Sequence, residues 1–347
     1  MRVAMSGPRS LERIEKLVKM LPSGIVQAPS SLGSMTWGPP LPLLSNAILV
    51  PRALPRKTLT MATALELAPR LTDASRRKVW DVHTAFDWPE RLDPTAGWYM
   101  LPELVSIYGT DAWETLSETQ RKRLSFYEIV NFFSFVLYGE RPLVSGLMNR
   151  MYRKRTQGAI TEYLHHFIDE ENKHMIMFGE FCNRYAGKIY PEKKLVLPRE
   201  YAKGEEEVAF FCKVLIVEEL GDFYNLKMMT DRTIHPLVAK INKVHHIDEA
   251  RHLGFGRQFL RELADEHAGN WNEDETKQFQ DWLAQYLRSC WGDFYNPAAY
   301  KDAGLDGYAT RKEAMAHPVC AEFRENASRK LVDYFLETRL LSEAPAL

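Results

Sequence analysis

Asp169-Glu170-Glu171-Asn172-Lys173-His174 and His245-His246-Ile247-Asp248-Glu249-Ala250-Arg251-His252 are the stretches that decide how this chain folds. In the first, Glu171 and His174 stand at i and i+3. In the second, His245, Glu249 and His252 stand at i, i+4 and i+7. At about 3.6 residues per turn, each group falls within an arc of roughly 60° on one helix face. Two such helices turned toward each other present two carboxylates and three imidazoles.

Glu-x-x-His on each of two helices, with one Glu from each of two more, is the ligand recipe of ferritin-like di-iron four-helix bundles. Helix arithmetic supplies the other two glutamates. A turn signal at Arg153-Lys154-Arg155-Thr156-Gln157-Gly158 lies midway between Glu140 and Glu171. About 15 residues lead out and about 15 lead back, so both ends sit about 22 Å from the turn. The same balance holds for His174 and Glu218 around the connection from Tyr185 to Gly204, and for Glu218 and His245 around Asp231 to Pro236. Seven side chains, Glu140, Glu171, His174, Glu218, His245, Glu249 and His252, are therefore expected on one level of the bundle.

Glu128 is the rival for the first position, but it lies about 18 Å off that level and on another face. Pro142 argues the other way, since it should kink or restart the helix just beyond Glu140. Glu219 and Glu170 compete with their neighbours Glu218 and Glu171, and the helical register favours the latter of each pair. Glu170 and Asp248, each just before a ligand glutamate, are the natural acceptors for the second nitrogen of a ligating histidine. His165, His166 and His246 fall on other faces.

The 347 residues carry a net charge of −1, so no basic surface argues for nucleic acid. Cys182, Cys212, Cys290 and Cys320 have no paired spacing and read as reduced thiols of a cytoplasmic protein. No apolar run is long enough for a membrane helix, and Arg9, Glu12, Arg13 and Lys16 stand where a signal peptide needs an apolar stretch. Gly254-Phe255-Gly256 lacks the third glycine of a dinucleotide loop, so reducing equivalents must come from an external electron donor protein. Carboxylate and imidazole ligands without thiolate suit iron or manganese. A reduced pair of irons with O2 as co-substrate implies oxidation of an organic substrate.

No long stretch alternates with period two, so the chain is expected to be all-α. Residues 1–75 read as an irregular N-terminal arm, with a short amphipathic helix at 10–21 and a Pro- and Gly-rich stretch from Pro22 to Pro69. Residues 76–347 read as a single helical domain, with the metal bundle at about 117–264 and extra helices following it. Long helices are expected at 117–139, 142–154, 156–185, 205–230 and 235–264. Asn272 should cap a helix over Glu273 to Trp291, and a last one should follow Pro318.

The segments Gly139-Glu140-Arg141, Asp169 to His174, Val217-Glu218-Glu219 and His245 to His252 resemble the p-aminobenzoate N-oxygenase (AurF-like) family of ferritin-like di-iron oxygenases. The third histidine sets that family's pattern apart. The resemblance implies that the same seven residues hold two Fe ions. It also implies O2-dependent oxidation of an amine to a hydroxylamine, nitroso or nitro product, in a homodimer, with secondary-metabolite biosynthesis as the setting. A di-iron hydroxylase or desaturase acting at carbon is the alternative, and an iron-storage bundle a third. Phe132, Phe133, Phe135 and Val136 precede Glu140, and Met228 and Met229 follow Glu218, with Lys227 the nearby base. The cavity is therefore expected to be apolar and to suit an uncharged amine, or an amino acid tethered to a carrier protein, better than a small acid.

Overall fold

A computed structural model describes residues 62–192 and 200–347. The expectations for residues 1–61 lie outside the described residues. Among those described there is no strand, only an isolated bridge between Trp98 and Ile234. The fold is an all-α ferritin-like bundle.

The first helix, α1 (Ala64–Arg77), occupies sequence expected to be irregular. Thr63 and Glu66 form a reciprocal capping box at its start, and the Ala64 N–H donates to Glu262 at 2.6 Å. Those bonds hold the first turn, so Pro69 costs one backbone hydrogen bond without ending the helix. A short helix, α2 (Asp111–Glu114), follows.

Four long helices then make the bundle: α3 (Glu118–Arg150), α4 (Ala159–Ala186), α5 (Glu205–Met228) and α6 (Pro236–His267). Ser117 and Gln120 cap α3 reciprocally. The break expected at Pro142 does not occur, and α3 runs on for two more turns. Proline removes the donor that would pair with the Tyr138 carbonyl. Pro142 and Tyr138 both line a cavity, so the missing bond faces open space rather than packed core. α4 ends at Gly187, whose φ of 65° is the left-handed conformation of a C-terminal cap.

α3 pairs with α4, and α5 with α6, as two antiparallel hairpins that pack across each other. Gly139 and Gly146, two turns apart on α3, let α5 approach. A Cβ on Gly139 would stand 2.4 Å from Val217 Cγ1, and one on Gly146 2.0 Å from the Phe210 ring. α7 (Glu273–Phe294) has the expected Asn272 cap and lies against α3 and α5. Three more helices follow: α8 (Pro297–Asp302), α9 (Gly307–Ala316) and α10 (Pro318–Glu337). α1 covers α4 and α6 on the other side. Phe133, Phe178 and Phe181, all fully buried, fill the space between α3 and α4 below the polar level. Each contributes about 1.5–3 kcal/mol by leaving water.

Candidate metal centre

α3 contributes Glu140, α4 Glu171 and His174, α5 Glu218, and α6 His245, Glu249 and His252. All seven are buried, and they sort into two groups whose donor atoms lie within 4.8 Å of one another: Glu140, His174 and His245, then Glu171, Glu218, Glu249 and His252. The two groups adjoin. His174 Nδ1 is 3.3 Å from Glu171 Oε2, and His245 Nε2 is 3.1 Å from Glu249 Oε1. His252 Nδ1 lies 2.7 Å from Glu171 Oε1.

The imidazoles are mounted in two ways. His174 and His252 turn Nδ1 inward and rest Nε2 on carboxylates of the opposite helix, at 3.2 Å from Asp248 and 2.9 Å from Glu170. Arg251 reaches both carboxylates, 2.6 Å from Glu170 and in close contact with Asp248. The Trp80 indole N–H donates to Asp248 at 2.8 Å while its ring stacks on His174. Phe167 stacks on His252 at 3.8 Å between centroids. His245 instead turns Nε2 inward, with Nδ1 2.6 Å from the Asn225 amide nitrogen.

Both oxygens of Glu140 and of Glu218, Oε1 of Glu171, Oε2 of Glu249 and Nε2 of His245 are buried without a well-aligned hydrogen bond, although imidazole nitrogens and carboxylate oxygens approach as close as 2.7 Å. Leaving one such atom unsatisfied costs about 1–3 kcal/mol, and charged groups cost more. So many in one place mark a site shaped for cations. Burial, reinforced by the nearby Glu171 carboxylate, pushes Glu140 up to about 8 despite His245 and His174. Burial and the neighbouring Glu249 and Glu171 hold Glu218 well above the usual carboxylate range. For His174 burial works against the proton, but Asp248 and Glu171 outweigh it and raise the ring's affinity. Two divalent ions fit this donor set, since they would displace those protons and neutralise the four glutamates.

Glu128 lies away from this cluster. Its carboxyl contacts the Ser106 hydroxyl closely, and that hydroxyl lies 2.6 Å from Tyr300 Oη. Glu219 pairs with Arg257 and Lys330. His246, on another face of the helix, is half-buried against Asp222 at 2.6 Å.

A cavity of about 230 Å³ reaches Glu218 from between α3, α5 and α7. Phe135, Gly139, Val214 and Val217 line it, but so do Asn131, Glu192, Lys213, Asp293 and Asn296, so the lining is more polar than the sequence led us to expect. Met228 is buried outside that lining, and Lys227 lies over the Phe223 ring. Arg141 is exposed, 3.7 Å from Glu192 at the cavity's edge. Lys213, five residues before Glu218 and about 7.5 Å along the helix from it, is the lysine of the lining, and its Nζ lies over the Trp282 and Tyr286 rings. Helical spacing from Glu218 could also have found Asn225, seven residues on. Trp80 carries no such signal, because only tertiary packing brings it to Asp248.

Relatives include the uncharacterized protein MT0908 of Mycobacterium tuberculosis (strain CDC 1551 / Oshkosh), 28% identical over 302 residues and covering 82% of this chain and 84% of its own. The uncharacterized protein Mb0909 of Mycobacterium bovis is 28% identical over 210 residues, covering 58% of this chain and 61% of its own. Among solved structures, an R2-like ligand-binding oxidase without metal cofactor superposes with a TM-score of 0.39 at 13% identity, over 79% of this chain and 96% of that one. A mutant of such an oxidase with an aerobically reconstituted Mn/Fe cofactor gives 0.44 at 13% identity, over 80% and 94%. The family model for P-aminobenzoate N-oxygenase AurF matches residues 62–339, and the chain belongs to that family.

Proposed function

We propose that this chain is a di-iron N-oxygenase that uses O2 to oxidise an amine to its hydroxylamine, nitroso or nitro product. The observation that carries the reading is the seven-donor cluster, in which His245 adds a third imidazole to an otherwise six-ligand set. Glu140, His174 and His245 would hold one ion, and Glu171, Glu218, Glu249 and His252 the other. When bound, such a metal pair would supply the electrons and the activation of O2. Electrons reach it from an external donor protein, and homodimeric assembly belongs to the same reading.

The chain's own residues do the rest. Trp80, Phe167 and Phe178 pack against the three imidazoles and keep bulk water from them. Asp248 and Glu170 orient His174 and His252 through the second ring nitrogen. The cavity delivers the substrate beside Glu218, with Phe135 and Val217 along its apolar body. The end remote from the reacting nitrogen would lie toward Lys213, whose Nζ rests over the Trp282 and Tyr286 rings. This supports an aminobenzoate-like acid, the substrate named for the family, where sequence alone suggested an uncharged amine. A carrier-tethered amine is the second reading, favoured by the cavity's edge at the exposed Arg141–Glu192 pair.

The test loads the protein with iron, reduces it, and adds O2 with p-aminobenzoate, its methyl ester, or a carrier-bound amine. N–O products identified by mass support the proposal. Hydroxylation or desaturation at carbon, with nitrogen untouched, overturns it in favour of a carbon oxygenase.

A further inference from the structure

Asn225 stands on the same face of α5 as Glu218, two turns further on, and is fully buried. Its amide nitrogen is 2.6 Å from His245 Nδ1, and its Oδ1 has no hydrogen-bond partner. On the other side of the ring, His245 Nε2 faces Glu249 Oε1 at 3.1 Å and Glu140 Oε1 at 3.5 Å, inside the proposed metal cluster.

A neutral imidazole carries one N–H. If Nε2 donates its lone pair to a metal ion, the proton resides on Nδ1 and needs an acceptor. A half-turn of the Asn225 amide about its Cβ–Cγ bond exchanges nitrogen for oxygen at nearly the same place. That half-turn meets two needs together: Nδ1–H gains an acceptor, and the orphaned Oδ1 gains a donor. No other hydrogen-bond partner for Nδ1 occurs among the described residues.

We propose that Asn225 is the positioning residue for His245: its Oδ1 accepts the Nδ1 proton, fixing the tautomer that points Nε2 at the metal. The inference rests on the di-metal reading above. It also separates the three imidazoles. His174 and His252 lean on carboxylates, which strengthen a histidine as a ligand. His245 leans on a neutral amide and is the weakest donor of the three. The ion held by Glu140, His174 and His245, with one ligand fewer than the other and this weaker histidine, is the one released first.

The probe is Zn(II), which binds carboxylate and imidazole and is silent in NMR. Zinc release to excess chelator is followed for wild type, Asn225→Asp and Asn225→Leu, with the His245 tautomer read by 15N NMR. Wild type should release two ions in two phases, with the zinc-loaded His245 protonated at Nδ1. Asn225→Asp, nearly isosteric and still an acceptor, should slow the first phase. Asn225→Leu, with no acceptor, should speed it by roughly 10–100-fold. The second phase should stay unchanged in both, which a general loss of packing would not produce. Equal first-phase rates in all three proteins, or a loaded His245 protonated at Nε2, overturns the assignment of Asn225 alone. A wild-type chain that holds no pair of ions overturns the di-metal reading and this one with it.

Discussion

Asp248 Oδ2 lies 3.2 Å from His174 Nε2, across the gap between α6 and α4. The carboxylate sits one residue before the ligand Glu249 yet serves the histidine of the other helix, so each Glu-x-x-His segment steadies its counterpart. Burial opposes ionisation of Asp248, but the bonds from His174, Arg251 and Trp80 hold its carboxyl well below the usual range. Asp248→Asn, neutral and of the same shape, should lower metal affinity by about 10–100-fold while leaving the fold intact. Competition with a chelator of known affinity measures it; unchanged affinity would mean that the contact is only packing.

Glu140→Ala should leave a chain that binds fewer than two ions and shows no oxygenase turnover. His245→Ala should retain the fold but lose the same ion more readily. Metal per chain, measured after gel filtration, separates these from Glu128→Ala, which should load normally and melt at a lower temperature. A normally loaded Glu140→Ala protein would reassign the α3 ligand.

Loading itself should depend on pH. In the metal-free protein Glu140 is held up to about 8, mainly by burial, and Glu218 is raised by the same cause. Both must lose protons when ions bind, so apparent affinity should rise as pH climbs toward about 8, with protons released to the medium. A pH indicator in weakly buffered solution reports the release. Affinity that does not vary between pH 6 and 8 (roughly the span below that titration) would show the carboxylates already ionised.

Glu128 titrates in the opposite sense to a salt-bridged carboxylate. Burial raises it to about 8, although the Ser106 hydroxyl and N–H favour the ion. Unfolded, the carboxyl titrates near the ordinary glutamate value of 4.5, so the folded state binds the proton more tightly. This contribution is complete below about pH 4.5, declines as pH rises, and is spent above about pH 8. Glu128→Gln, always neutral, should therefore gain stability relative to wild type as pH increases, by on the order of a few kcal/mol across that window. Paired melts of metal-free protein at pH 5 and pH 8 give the comparison (both values roughly bracket the window).

Lys213→Met should raise KM for p-aminobenzoate several-fold more than for its methyl ester, with kcat little changed. Loss of a charge partner costs binding in ground state and transition state alike. Equal effects on acid and ester would remove Lys213 from substrate recognition.

The local repeat of the α-helix carried much of this protein in its sequence. Rise and turn per residue are set by the backbone, so the register of Glu171 with His174, and of His245 with Glu249 and His252, follows from spacing alone. The levelling of Glu140 and Glu218 needed only the lengths of three hairpins, because packed antiparallel helices advance at one rate. Tertiary structure decided the rest. Pro142 reads as a helix break but is carried within α3, where it borders a cavity; Pro69 is carried within α1, whose first turn is anchored by Glu262. Trp80 meets Asp248, 168 residues away in sequence, and Lys213 enters a cavity closed by α7. Those contacts depend on which helix faces pack together, and periodicity within a helix carries no information about its neighbours. The seven clustered side chains, and Glu170 and Asp248 beside them, were thus legible in the chain, whereas Trp80 and the lining of the cavity arose only where separate helices met.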